Sequence, residues 1–172
     1  MKYLLPLVAI ALTLSSCARK DEKELYFEGK AAYDQKQYQA AIEKFQEIVD
    51  RFTYTAYAES SQYSIAIIYN NDLHDVRKAL LSYQKFYTLV PSSKQAPTAL
   101  FLTGFLFNNE LQELDSARAA YDKFIESYSD HELASSARFE LESLGKDPTQ
   151  VLKSQTSSAE EPAKEKKTAP HK

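Results

Sequence analysis

The residues able to carry chemistry are few and scattered. Cys17 is the only cysteine in the 172-residue chain, so no disulfide can form within it. The three histidines, His74, His131 and His171, lie far apart. They build neither an HExxH motif nor a Cys/His cluster, so no metal site is expected. Glycine-rich phosphate loops are absent, and the three glycines are placed for helix packing and capping. Glu140 and Glu142 could pair as acid and base, but their spacing suits a solvated helix face better. The 12 tyrosines could line a ligand box, though packing between helices accounts for most of them. With no nucleophile, base or metal cluster assembled, the chain is not expected to be an enzyme or to hold a cofactor.

Cys17 itself is better placed for modification than for catalysis. Met1–Ser16 has a basic start at Lys2 and an apolar run of about 11 residues from Leu4 to Leu14. That is short of the roughly 20 residues a membrane-spanning helix needs, and it has the layout of an export signal. The run closes with Leu14-Ser15-Ser16-Cys17, which resembles the lipobox of bacterial lipoprotein precursors. The resemblance implies cleavage before Cys17 and a covalent lipid on its sulfur, the only non-protein group expected. Several acyl chains together would hold the chain stably on a membrane. Residues 17–23 then read as the lipidated cysteine and a short charged tether. The six residues of Ala18–Lys23 span roughly 20 Å when fully extended, so the folded part should sit close to the bilayer. Ala18 stands where an aspartate would resemble an inner-membrane retention signal, which favours a periplasm-facing place on the outer membrane.

Charge divides the mature chain. Residues 18–147 carry 15 Lys and Arg against 21 Asp and Glu, a net of −6. Nucleic-acid binders need a concentrated basic face, so nucleic acid is not an expected partner. Residues 148–172 are polar, Pro-containing and nearly free of large apolar side chains. Such a segment buries too little surface to offset ordering, and it reads as a disordered tail.

Positioning falls to the stretch between. Tyr69–Ser93 aligns without a gap on Phe107–His131, and Asn70, Asn71, Leu73, Ala79, Tyr83, Lys85 and Phe86 recur at a constant offset of 38. A fixed offset of this size marks a stacked repeat. Ala41, Phe45 and Ile48 extend it backwards, at 38 residues before Ala79, Tyr83 and Phe86. The first helix of the first unit is one residue out of step: Tyr26 and Gly29 lie 37 before Tyr63 and Ala66. The extra residue is expected in the loop between the two helices of a unit, where insertions are tolerated. Apolar spacing of three and four residues runs from Glu24 to Leu144, with no alternating strand pattern. Residues 24–147 therefore read as one all-α domain of three helix pairs plus a C-terminal closing helix. Asp115 is expected to cap the second helix of the third unit. Ser129-Asp130-His131-Glu132 has the form of a capping box before the closing helix, and Gly145 reads as its stop.

Small residues recur at Gly29, Ala66 and Gly104, and again at Ala41, Ala79 and Ala117. Glycine inside a helix costs about 1 kcal/mol against alanine, so its repetition points to close helix approach. Ala66-x-x-Tyr69, Gly104-x-x-Phe107, Ala41-x-x-x-Phe45, Ala79-x-x-x-Tyr83, Ala117-x-x-x-Tyr121 and Pro91 together resemble the tetratricopeptide repeat, with a period four residues longer. The resemblance implies a right-handed superhelix whose first helices line a concave groove for extended peptides or helices. On that basis Tyr26, Lys30 and Tyr33, then Tyr63, Ile67 and Asn70, then Phe101, Phe105 and Asn108 would face a partner. The lining suits apolar or aromatic side chains, with the asparagine amides bonding the partner's backbone.

Lipobox, short tether, divergent repeats and closing helix together resemble the lipoproteins of the outer-membrane β-barrel assembly machinery, the BamD-like family. Membership implies a membrane-anchored, protein-binding scaffold in β-barrel assembly, although that family usually carries five repeats and this chain has room for three. A repeat-containing coordinator of the Tol–Pal system is the alternative, weakened by the lack of a heptad segment.

Overall fold

The computed structural model describes residues 20–146. The export signal, Cys17 and the tail fall outside them, as do nearly all residues before the first helix. Seven α-helices follow one another: α1 (Glu22–Asp34), α2 (Tyr38–Arg51), α3 (Ala56–Ile67), α4 (Val76–Leu89), α5 (Ala96–Phe105), α6 (Leu114–Ser127) and α7 (Ala134–Ser143). Each packs chiefly on its neighbours in the chain. The result is three helix pairs and a closing helix, a tetratricopeptide-like superhelix with no strand among the described residues.

Local chemistry explains where the helices begin. Asp21 stands in extended backbone before α1 and accepts from the Glu24 amide at 2.8 Å, while Glu22 and Glu24 face the positive end of the helix dipole. The helix thus begins two residues before the expected Glu24, and takes Glu22 and Lys23 out of the tether. Thr55 caps α3 through the Ala58 amide at 3.1 Å, and Asp75 caps α4 through Lys78 at 3.1 Å.

Two expected caps do not form. Helix α6 starts at Leu114, so Asp115 lies inside its first turn; the flanking residue is Glu113, which makes no side-chain cap bond. Glu113 occupies the repeat position of Asp75, but with one more methylene its carboxylate does not close the short ring that aspartate makes. The Ser129–Glu132 box is likewise absent, because α7 waits until Ala134 with Leu133 as its flanking residue. His131 shapes that turn instead, its Nδ1 accepting from the Leu133 amide at 3.2 Å. Gly145, at φ +72°, supplies the left-handed stop after α7.

The extra residue of the second and third units is not in a loop. It is taken up inside the first helix, which ends in a π-helical turn at Ile68–Asp72 and again at Leu106–Glu110. A π turn joins residues five apart, one more than an α turn, and so absorbs a single inserted residue. The Leu73 and Leu111 amides close these turns on the Ile68 and Leu106 carbonyls at 3.0 Å. Every first helix then meets a left-handed residue at the same repeat position: Lys36 (φ 58°), His74 (φ 50°) and Gln112 (φ 57°).

The core is built unit by unit. Phe45, Tyr83 and Tyr121, 2%, 1% and 0% exposed, each project from a second helix onto the small residue of the first. A Cβ on Gly29 would lie 2.7 Å from Phe45 Cε1, and one on Gly104 would lie 2.7 Å from Tyr121 Cε1. Glycine is therefore the residue that lets the ring lie flat on the helix backbone. Ile48, Phe86 and Phe124 fill the next turn, and are buried completely.

Candidate functional site

The expected groove residues separate into three classes once placed. Tyr26, Tyr63 and Phe101 occupy equivalent positions, and each ring packs on the large aromatic of its own unit. Centroid distances are 5.7 Å for Tyr26–Phe45, 6.1 Å for Tyr63–Tyr83 and 5.7 Å for Phe101–Tyr121. Tyr63 also lies 5.0 Å from Phe86, and burial pushes its phenol pKa up. These rings are half-buried against the core.

Lys30, Ile67 and Phe105 stand one helical turn further on. Lys30 and Phe105 are exposed and Ile67 is half-buried. Tyr33, Asn70 and Asn108 follow another turn later, where their neighbours differ. The Asn70 amide donates to Asn71 Oδ1 at 2.7 Å. Asn108 reaches Glu140 on α7 at 3.4 Å, so its amide also ties the third unit to the closing helix.

The structure brings four of the nine together. Tyr26, Lys30, Tyr33 and Ile67, with Phe45, Ser64 and Ile68, line a cavity of about 220 Å³ between the first helices of units one and two. Its walls are aromatic and aliphatic, with Lys30 the one cationic group. Beside Tyr33 and Tyr38 sits Asp72, which the sequence reading missed. Partial burial first, and then the Asp72 carboxylate, raise the phenol pKa values of Tyr33 and Tyr38. One Asp72 oxygen is buried with no hydrogen-bond partner. No signal in the sequence marks Asp72, because the π turn that carries it was not foreseen.

Other chemistry is sparse. Among the described residues no three His, Cys, Asp or Glu side chains gather as a metal-binding group, and no helix is long and apolar enough to cross a membrane. Ion pairs lie at the surface: Glu28 pairs with Lys20 and with Lys44 at 3.2 Å, which lowers its own carboxyl pKa.

Among the described residues the helix pairs stack as a tetratricopeptide-like repeat fold. Residues 18–147 match the model of the outer membrane lipoprotein family YfiO, and the chain belongs to that family. No curated protein matches it.

Proposed function

We propose that this chain is a lipid-anchored, periplasm-facing scaffold of the outer membrane whose concave groove holds extended segments of other proteins during β-barrel assembly. The observation that carries the reading is the cavity walled by Tyr26, Lys30, Tyr33 and Ile67 in a member of an outer membrane lipoprotein family. Its apolar walls would take a large side chain, and Lys30 and Asp72 would orient the polar groups beside it. The covalent lipid on Cys17 would hold the scaffold at the membrane, with the helical body starting only a few residues later. Asp21 already caps the first helix, and Arg51 Nη2 donates to the Lys20 carbonyl at 2.6 Å.

Two experiments test the two halves. Cys17→Ala should move the protein from the membrane to the soluble periplasmic fraction; identical fractionation of both forms would remove the anchor. A photo-crosslinking residue at Lys30 or Phe105, both exposed, should capture β-barrel precursors or their assembly partners in cells. Capture of Tol–Pal components alone would replace the assembly role with a coordinating one.

A further inference from the structure

A second cavity lies at the first repeat interface, and it does not belong to the concave groove. It has a volume of about 310 Å³ and lies among the end of α2, the start of α3 and the end of α4. Val49, Ala58, Leu89 and Val90 supply its apolar wall, and Glu59 and Gln62 stand one turn apart on its polar side.

The repeat explains why it is hollow. At the second interface, 38 residues on, Tyr87 stands for Val49, Pro97 for Glu59, Leu100 for Gln62 and Tyr128 for Val90. There Tyr87 packs against the cores of two units. Tyr128 lies 5.5 Å from Phe124 and its hydroxyl donates to the Pro91 carbonyl at 3.4 Å. Two tyrosine rings therefore fill, at the second interface, the place that valines leave open at the first.

Gln62 is the second observation. Its counterparts Leu25 and Leu100 are core residues 1% exposed, and Gln62 itself is 4% exposed. A buried amide of this kind normally has a partner, yet Gln62 Oε1 has none. An apolar guest would leave that oxygen unpaired, at a cost, whereas a guest carrying an O–H or N–H would satisfy it. Beside the mouth Tyr54 is 89% exposed and held at φ 66°, a left-handed conformation that bulky residues seldom adopt.

We propose that this cavity is a second binding site, taking a tyrosine or tryptophan side chain from a partner protein. The ring fills the space that Tyr87 and Tyr128 fill next door, and its donor bonds the Gln62 amide. Tyr54 stands at the rim, where it packs against the entering ring. The two cavities share no lining residue, so both can be occupied at once.

Titrating the full chain with N-acetyl-tyrosinamide and N-acetyl-phenylalaninamide tests this, read from the methyl resonances of Val49, Leu89 and Val90. The tyrosine amide should bind about fivefold more tightly than the phenylalanine amide, the worth of one net hydrogen bond. Gln62→Leu should keep the fold and level the two affinities. Val49→Tyr should fill the cavity from within and abolish binding of both, with thermal melting to confirm the fold. Equal affinities in the natural chain, binding undiminished by Val49→Tyr, or shifts confined to Ile67 in the concave groove would each overturn the site.

Discussion

At the residue scale, glycine and aromatic act as a pair. Gly104 meets Tyr121 at the same 2.7 Å, measured from an added Cβ, that Gly29 shows to Phe45. A methyl at Gly104 gains about 1 kcal/mol of helix propensity. It also overpacks a ring that is 0% exposed, and overpacking costs about 1–3 kcal/mol. The second effect wins unless the ring can shift. Ala66, at the same place in the middle unit, is itself buried completely, so some shift is available and the cost falls near the middle of that range, about 2 kcal/mol against the roughly 1 kcal/mol gained. Gly104→Ala should therefore lower stability by about 1 kcal/mol in urea unfolding, and a stabilised variant would refute the interlock.

Capping provides a sharper contrast, because two aspartates that look alike in sequence do different things. Asp75 accepts from the Lys78 amide, and losing such a cap costs about 1 kcal/mol. Asp115 sits inside the first turn of α6 without a cap bond, so only its favourable charge near the dipole is lost, worth about 0.5 kcal/mol at the surface. Asp75→Ala should be the more destabilising of the two by thermal melting. The reverse order would mean that Asp115 is the working cap.

At the scale of the element, the π turns decide how the repeats keep step. Removing one residue from Ile68–Asp72, for example Asn71, should convert the turn to α-helix and return the second unit to the spacing of the first. Circular dichroism should then show full helix content with a modest loss of melting temperature. Deleting Leu81, inside α4, should instead rotate the apolar face by about 100° and collapse the fold. Equal damage from both deletions would show that the turn has no special tolerance.

The helix pairs, the closing helix and the small-residue interlocks were legible because each rests on a period that recurs across units. Gly29, Ala66 and Gly104 could be aligned without knowing what they touch. The π turns were not legible: a one-residue change in spacing reads the same whether a loop or a helix absorbs it. The missed caps failed for a related reason, since the start of a helix is set by the packing register of Ala117 and Ala134 as much as by the nearest polar side chain. Within the groove, spacing found the face but not the depth. It could not separate Tyr63 and Phe101, held against the core, from Lys30 and Phe105, which stand clear of it. Gln62 was legible in principle, as a polar residue aligned with Leu25 and Leu100, but only burial shows that its amide is unpaired.

At the scale of the whole molecule, the aromatic column makes stability unequal along the superhelix when the solution turns alkaline. The first unit has Phe45 at its centre, while the second and third have Tyr83 and Tyr121, both at most 1% exposed. Burial pushes both phenol pKa values far above their ordinary value, and the Tyr121 oxygen has no partner to share the charge it would gain. In the unfolded chain a phenol ionises near pH 10. Below that pH both states hold their protons and the stability is present in full. Above it the unfolded chain loses protons that the folded chain keeps, so stability falls as pH rises. Each buried phenol contributes about 1.4 kcal/mol of loss per pH unit in that window. Melting temperature should thus be level from pH 7 to 9 and drop steeply beyond 10. Tyr83→Phe with Tyr121→Phe should flatten the drop, because both units would then carry the core ring of the first. Tyr33, Tyr38, Tyr63 and Tyr87, whose pKa values burial also raises, should leave a shallower residual slope. Amide exchange should show the second and third units opening before the first as pH passes 10 in the natural chain, and opening that starts in the first unit would contradict this order.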